Sequence, residues 1–250
     1  MALMFDRSTY FGLVRDSLFS GKMTQQQTDG QEFLLDTWED SYSEWDVRWL
    51  AYSLATTIHE TASTMWPIEE YGKGKGQPYG EPDPVTGHTY YGRGDVQLTH
   101  KENYDKMTPI VDPMFPQQPI DLVKNPSLAL DPPIAAAIMY EGMHRGVFRK
   151  DSKGKQTYAR YFNATANDPY GAREIINGDK HIVPSWSNGV SIGKLIANYH
   201  NDFLDALVQA SENMGVRPPD IALGPAEPQV VTLTIKVNAP PGVTVVIQQE

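Results

Sequence analysis

Three carboxylates and the glycines around them carry the chemistry of this chain. Glu60 closes an apolar run, Ile58-His59-Glu60-Thr61, and Glu69 and Glu70 stand just before a glycine-rich stretch, Gly72 to Gly76. A second cluster follows: Tyr90-Tyr91-Gly92-Arg93-Gly94, then Gln97-Leu98-Thr99 and Asn103. Acidic, aromatic and amide side chains alternate here with glycines that let the backbone approach a ligand. Two simpler explanations fail. A helical zinc protease needs a second histidine where Ser63 stands, and a phosphate loop needs a closing Lys-Ser/Thr that the glycine stretch lacks. What survives is a pair of carboxyl groups in unlike settings, one on an apolar helix and one on an open loop. Hydrolysis of a glycosidic bond calls for such a pair, one group protonated and one ionised.

The order of these segments resembles glycoside hydrolase family 19, which contains chitinases and related bacteriophage endolysins. The resemblance rests on His59-Glu60-Thr61, on Tyr90 to Gly94 with Gln97-Leu98-Thr99, and on Asn103-Tyr104. It continues through Asn125-Pro126-Ser127, Asp131 to Ala135 and Ile175-Ile176-Asn177-Gly178, covering residues 5 to 210. The run from Phe19 to Gly30 is similar to the opening of phage members and tilts the expected substrate from chitin to peptidoglycan. The resemblance implies a lysozyme-like, mainly α fold with a cleft. It implies Glu60 as general acid and Glu70, with Glu69 as the alternative, as the base that directs water in an inverting reaction. It also implies substrate contacts from Tyr90, Gln97, Thr99, Asn103 and Asn177, and no metal or cofactor. Arg93 is either a brace inside its loop or a ligand contact, and His59 supports local packing. Two positions depart from the plant pattern: Ser191 precedes Ile192-Gly193 where an arginine is expected, and His181 stands where an acidic residue is expected. Both groups would belong to the ion network around the acid.

Composition sets the outer bounds. Hydrophobic residues make up 40% and charged residues 21% of 250 residues, an ordinary globular balance with room for one substantial core. A net charge of −10 argues against nucleic acid as a partner. No cysteine is present, so packing alone must hold the fold. No signal peptide is visible in the first residues and no apolar run approaches a membrane span, so membrane insertion is not expected. The expected setting is therefore the cytoplasm of an infected bacterium, followed by action on the cell wall after release, or carriage on a phage particle.

The elements that must position the carboxylates follow from periodicity. Helical spacing runs over residues 5 to 20, and again towards Phe33-Leu34-Leu35. A central helix over Asp46 to Thr64 buries Trp49, Leu50, Ser53, Leu54, Thr57, Ile58 and Thr61, with Pro67 ending it. Residues 71 to 89 form a loop that lines the cleft. Further helices are predicted from Gln97 to Met107, from Asp131 to Met143, from Gly171 to Ile176 and from Gly189 to Glu212. The helical domain spans 1–216 and a Pro-rich linker 217–229. Residues 230–250 alternate as a β-hairpin, an appendage that needs a partner protein, a second copy or its own domain to cover it.

Overall fold

The computed structural model describes residues 3–215. The linker at 217–229, the hairpin at 230–250 and the last residue of the 1–216 domain lie outside the described residues. The mainly α expectation is met. Among the described residues there are seven α-helices, and every strand is a two-residue piece of a hairpin or bridge.

Helix α1 (Arg7–Leu18) is capped by Asp6, whose carboxylate accepts from the Thr9 amide at 2.8 Å. Helix α2 (Gln25–Ser41) opens on a capping box between Thr24 and Gln27. Arg7 fastens the two together by reaching Glu32 at 3.0 Å, Asp36 at 2.7 Å and Glu39 at 2.8 Å. Helix α3 (Val47–Glu60) is capped by Asp46. It is buried on all faces rather than along one stripe, with Trp49 alone half-exposed between Val47 and Ile58. It packs along α7 (Ile192–Asn213), as α1 does, so α7 forms the floor on which the first and third helices lie. His200 of α7 is fully buried between the rings of Tyr52 and Phe162, and burial, with Arg48 nearby, drives its pKa down to about 3.

The central helix stops at Glu60, earlier than the predicted Thr64. Its Thr61 cap returns a hydroxyl bond to the Thr57 carbonyl at 2.7 Å, and Ala62, Ser63 and Met65 all adopt positive φ. The chain therefore reverses at once, and Pro67 is not what ends the helix. The first turns of α2 hold this reversal. Gln27 donates to the Ser63 carbonyl at 2.9 Å, and the Met65 carbonyl lies where a β-carbon on Gly30 would stand, 1.8 Å away. Strand β1 (Ile68–Glu69) then pairs antiparallel with β2 (Arg93–Gly94), tying the loop after Glu60 to the Gly-Arg-Gly run.

Helix α4 (Lys101–Val111) also begins later than predicted, because Gln97 and His100 sit at positive φ and cannot start a right-handed helix. Helix α5 (Pro132–Arg145) follows the expected pattern of Asp131 at the N-cap position and prolines in the first turn, and ends on left-handed Gly146. Three features had no periodic signal in the sequence: the hairpin β3 (Lys150–Asp151) with β4 (Gly154–Lys155), the short α6 (Tyr158–Tyr161), and the bridge β5 (Phe162–Asn163) with β6 (Ala166–Asn167). Arg48 pins the last of these through the carbonyls of Asn163 and Ala166 at 3.1 and 3.2 Å. The segment predicted as a helix from Gly171 is a 3-10 helix, Gly171–Ile175, and α7 starts at Ile192 after Asn188 and Gly189 break the backbone with positive φ.

The close approach at Gly30 yields a direct test. Gly30→Ala should destabilise the fold by about 3 kcal/mol, read as a lowered urea midpoint with unchanged slope. A variant as stable as the parent would show that α2 and the turn after Glu60 are not pressed together.

Candidate active site

Glu60 is the last residue of α3 and its side chain is 15% exposed. Arg173, from the 3-10 helix, donates from Nη1 to Glu60 Oε1. The same guanidinium grips Asp179 with its other edge, Nε to Oδ1 at 2.7 Å and Nη2 to Oδ2 at 3.0 Å. Burial works against the charge of Arg173, but Glu60 and Asp179 outweigh it and hold its pKa above the ordinary value. Burial likewise opposes ionisation of Asp179, and the Arg173 bonds more than offset that, so its carboxyl lies below its usual range. Asn177 joins the group by donating to Asp179 Oδ2 at 3.0 Å. His59 is kept from charging mainly by burial, against the pull of Glu60.

An arginine and an acidic residue do form an ion network with Glu60, at positions other than the two that the plant pattern marks. Asp179 directly follows Asn177-Gly178, two places before His181, and Arg173 stands four residues before Asn177. The Asn-Gly-Asp run was a usable signal for Asp179. Arg173 had none as the partner of Glu60, because that carboxylate lies 113 residues away.

Glu60 opens onto a cleft of about 410 Å³. Gln97, Thr99, Asn103 and Asn177 line it, together with Tyr79, His100, Phe148, Arg149 and Ile176, which the sequence did not single out. Gln97 sits at positive φ and spends its amide hydrogens on the carbonyls of Ile68 and Gly94, at 3.0 and 3.2 Å. Thr99 donates to the Gln97 carbonyl at 2.7 Å, and Asn103 donates to the Thr99 carbonyl at 2.9 Å. These bonds fix the loop and leave the Thr99 hydroxyl oxygen as an acceptor, and the amide oxygen and second amide hydrogen of Asn103, to meet a ligand.

Tyr90 departs from its expected role. It is 3% exposed, its hydroxyl donates to the Val123 carbonyl at 2.9 Å, and its ring packs edge-on against Tyr104. Its place is in the core beneath the cleft, not on the cleft lining. Arg93 is a brace: it is buried, lies 3.6 Å over the Tyr91 ring, and donates to the Thr89 carbonyl and the Tyr104 hydroxyl at 3.1 and 3.0 Å.

Glu69 ends β1 and Glu70 follows it, and the two carboxylates meet different partners. Glu69 meets Lys73 at 2.7 Å and accepts from the Tyr91 hydroxyl at 2.6 Å, and these bonds hold its carboxyl below the ordinary range. Glu70 accepts from the Gly92 amide at 3.1 Å and from the hydroxyl of cleft-lining Tyr79 at 3.4 Å. Neither carboxylate lines the 410 Å³ cleft itself; Glu70 is joined to it through Tyr79.

Among the described residues no three His, Cys, Asp or Glu side chains gather as metal ligands, and no helix is long and apolar enough to cross a membrane.

No family model and no curated protein matches the chain. Solved structures do. A Glu-to-Gln mutant of chitinase C is 20% identical, with 82% of this chain and 93% of that one covered, at a TM-score of 0.44. Chitinase C from Streptomyces griseus is 19% identical, with 88% and 97% covered, at 0.42. A bacterial family 19 chitinase is 20% identical, with 86% and 96% covered, at 0.41. At these identities and scores the likeness decides nothing about the chemistry, which has to come from the residues.

Asp95, inside the Gly-Arg-Gly-Asp-Val-Gln run, is 2% exposed, its Oδ1 meets no hydrogen-bond donor among the described residues, and burial raises its pKa to about 7. Below pH 4 the carboxyl is protonated in both folded and unfolded chains, so it costs nothing. Between about 4 and 7 only the unfolded chain ionises, so folding stability falls as pH rises; above 7 the penalty stays constant at no more than about 4 kcal/mol. Asp95→Asn should therefore gain on the parent from pH 4 to pH 7, measured by urea unfolding at each pH. A difference that does not change with pH would show that Asp95 ionises normally.

Proposed function

We propose that this chain is an inverting glycoside hydrolase that cuts β-1,4 bonds of the peptidoglycan glycan strand, after N-acetylmuramic acid, as a phage or prophage endolysin does. The observation that carries the reading is Glu60: a carboxylate at the end of a fully buried helix, fixed by a buried arginine, and open to a cleft of about 410 Å³. Such a group is placed to protonate the glycosidic oxygen as the leaving sugar departs. Glu70 is the better base of the loop pair. It reaches the cleft through Tyr79, whereas the charge of Glu69 is already matched by Lys73 and Tyr91. In this mechanism water attacks on the face opposite the leaving group, and its proton passes to Glu70 through the Tyr79 hydroxyl, which gives up its own proton to Glu70 as it receives one from the water. Gln97, Thr99, Asn103 and Asn177 supply the polar cleft wall for sugar hydroxyls and N-acetyl groups.

The setting follows from the same reading: the enzyme is made inside the infected bacterium and meets the wall after release, or travels on the particle. Glu60→Gln should lower clearing of purified wall sacculi by at least about a hundredfold while circular dichroism stays unchanged. Glu70→Gln should also lose most activity and Glu69→Gln should lose less. Undiminished clearing by the Glu60 variant would remove it from the mechanism. Release of soluble oligosaccharides from chitin, without action on sacculi, would move the substrate to chitin.

A further inference from the structure

We infer that Arg149 makes the cleft selective for a glycan that carries a carboxylate beside the bond to be cut. This rests on the glycosidase reading of the cleft and names the substrate class that the cleft prefers. Among the described residues Arg149 is the one arginine or lysine that lines the cleft, in a protein whose net charge is −10. Its place is built rather than incidental. The guanidinium lies over Gly178 so closely that a β-carbon there would stand 2.7 Å from both Nη1 and Nη2, so the Asn177-Gly178 turn leaves this space for it. Nη2 donates to Glu174 Oε2 at 3.0 Å, and Nε has no hydrogen-bond partner among the described residues. Glu174 does not cancel the charge, because Lys180 shares it at 3.5 Å from Oε1. Two cations therefore face one carboxylate at this edge.

The contrast with Arg173 sharpens the point. Arg173 is 3% exposed and saturated by Glu60 and Asp179, as a structural arginine should be. Arg149 is 36% exposed by side chain, on the rim of the same cleft next to Asn177. A chitin chain offers only hydroxyls and N-acetyl groups and gives a guanidinium no charge to meet. A strand with acidic substituents does, through a planar carboxylate that suits the arginine fork. Two sources of that carboxylate exist in a wall strand: the lactyl ether of a muramic sugar freed of its peptide, and the carboxylates of an attached stem peptide.

The test compares the parent, Arg149→Met and Arg149→Lys on three probes: chitotetraose, a peptide-free tetrasaccharide of alternating N-acetylglucosamine and N-acetylmuramic acid, and the same tetrasaccharide bearing stem peptides. For Arg149→Met the loss in kcat/KM on an acidic probe should exceed the loss on chitotetraose by about tenfold, with partial rescue by lysine. Loss confined to the peptide-free probe assigns the lactyl group, and loss confined to the peptide-bearing probe assigns the stem. Equal losses on all probes, or none, overturn the inference. Calorimetric Kd values for the same probes, in a Glu60→Gln background, keep the two readings separable. Should no probe be cut by the parent, the glycosidase reading fails, and the inference then stands or falls on an Arg149-dependent preference for acidic probes in binding. Should Arg149→Met not fold, Glu174→Gln decides: freeing the arginine should tighten acidic probes relative to chitotetraose, and no change overturns the proposal.

Discussion

A buried guanidinium must be matched by negative charge, and this constraint organises the catalytic half of the molecule. Arg173 cannot lose its proton, so at 3% exposure it must keep Glu60 and Asp179 against it. Losing both would leave an uncompensated charge in a dry place, at a cost of about 3–5 kcal/mol, whereas Asp179 alone still balances it when Glu60 carries a proton. The three residues come from the end of α3, the 3-10 helix Gly171–Ile175 and the turn after Asn177. Their pairing therefore fixes the position of the helix end that carries Glu60. It also couples the site to acid. Asp179 titrates below its ordinary value, so the stabilisation it lends is present above the unfolded pKa and fades as pH falls through the lower folded one.

The second support lies on the other side of Glu60. Gln27 and Gly30 of α2 grip the reversed backbone from Ala62 to Met65, and β1 then carries Glu69 and Glu70 to the β2 strand. One short path thus leads from the buried helix to both candidate carboxyl groups. Glu60 is set by an ion pair and by helix packing. Glu70 is set by the Gly92 amide and the Tyr79 hydroxyl, just past the end of β1. The difference in setting is what a reaction with one acid and one base requires.

Local patterns announced the parts that depend on local physics. The helices with caps and periodic apolar faces were legible, and so was the Thr24 to Gly30 run, whose glycine turns out to seat the turn after Glu60. Gln97, Thr99, Asn103 and Asn177 line the cleft. Tyr90 does not, because an aromatic beside glycines reads the same whether it faces sugar or core, and only the Val123 carbonyl and Tyr104 ring decide it. Arg173 and Arg149 were silent for a related reason: their meaning comes from partners brought near by folding, 113 residues away for Arg173. The helix ends were misplaced where positive φ values, at Ala62 and Ser63 or at Gln97 and His100, bound a helix without a proline or a glycine.

The central claim is that Glu60 protonates the leaving sugar while water directed by Glu70 attacks the opposite face. Proton NMR of the first product formed from a β-1,4-linked oligosaccharide of N-acetylglucosamine and N-acetylmuramic acid tests it most directly. The α-anomer should appear first and then equilibrate. A β-anomer formed first would contradict the account, since it would require retention, with a covalent or substrate-assisted intermediate in place of a directed water.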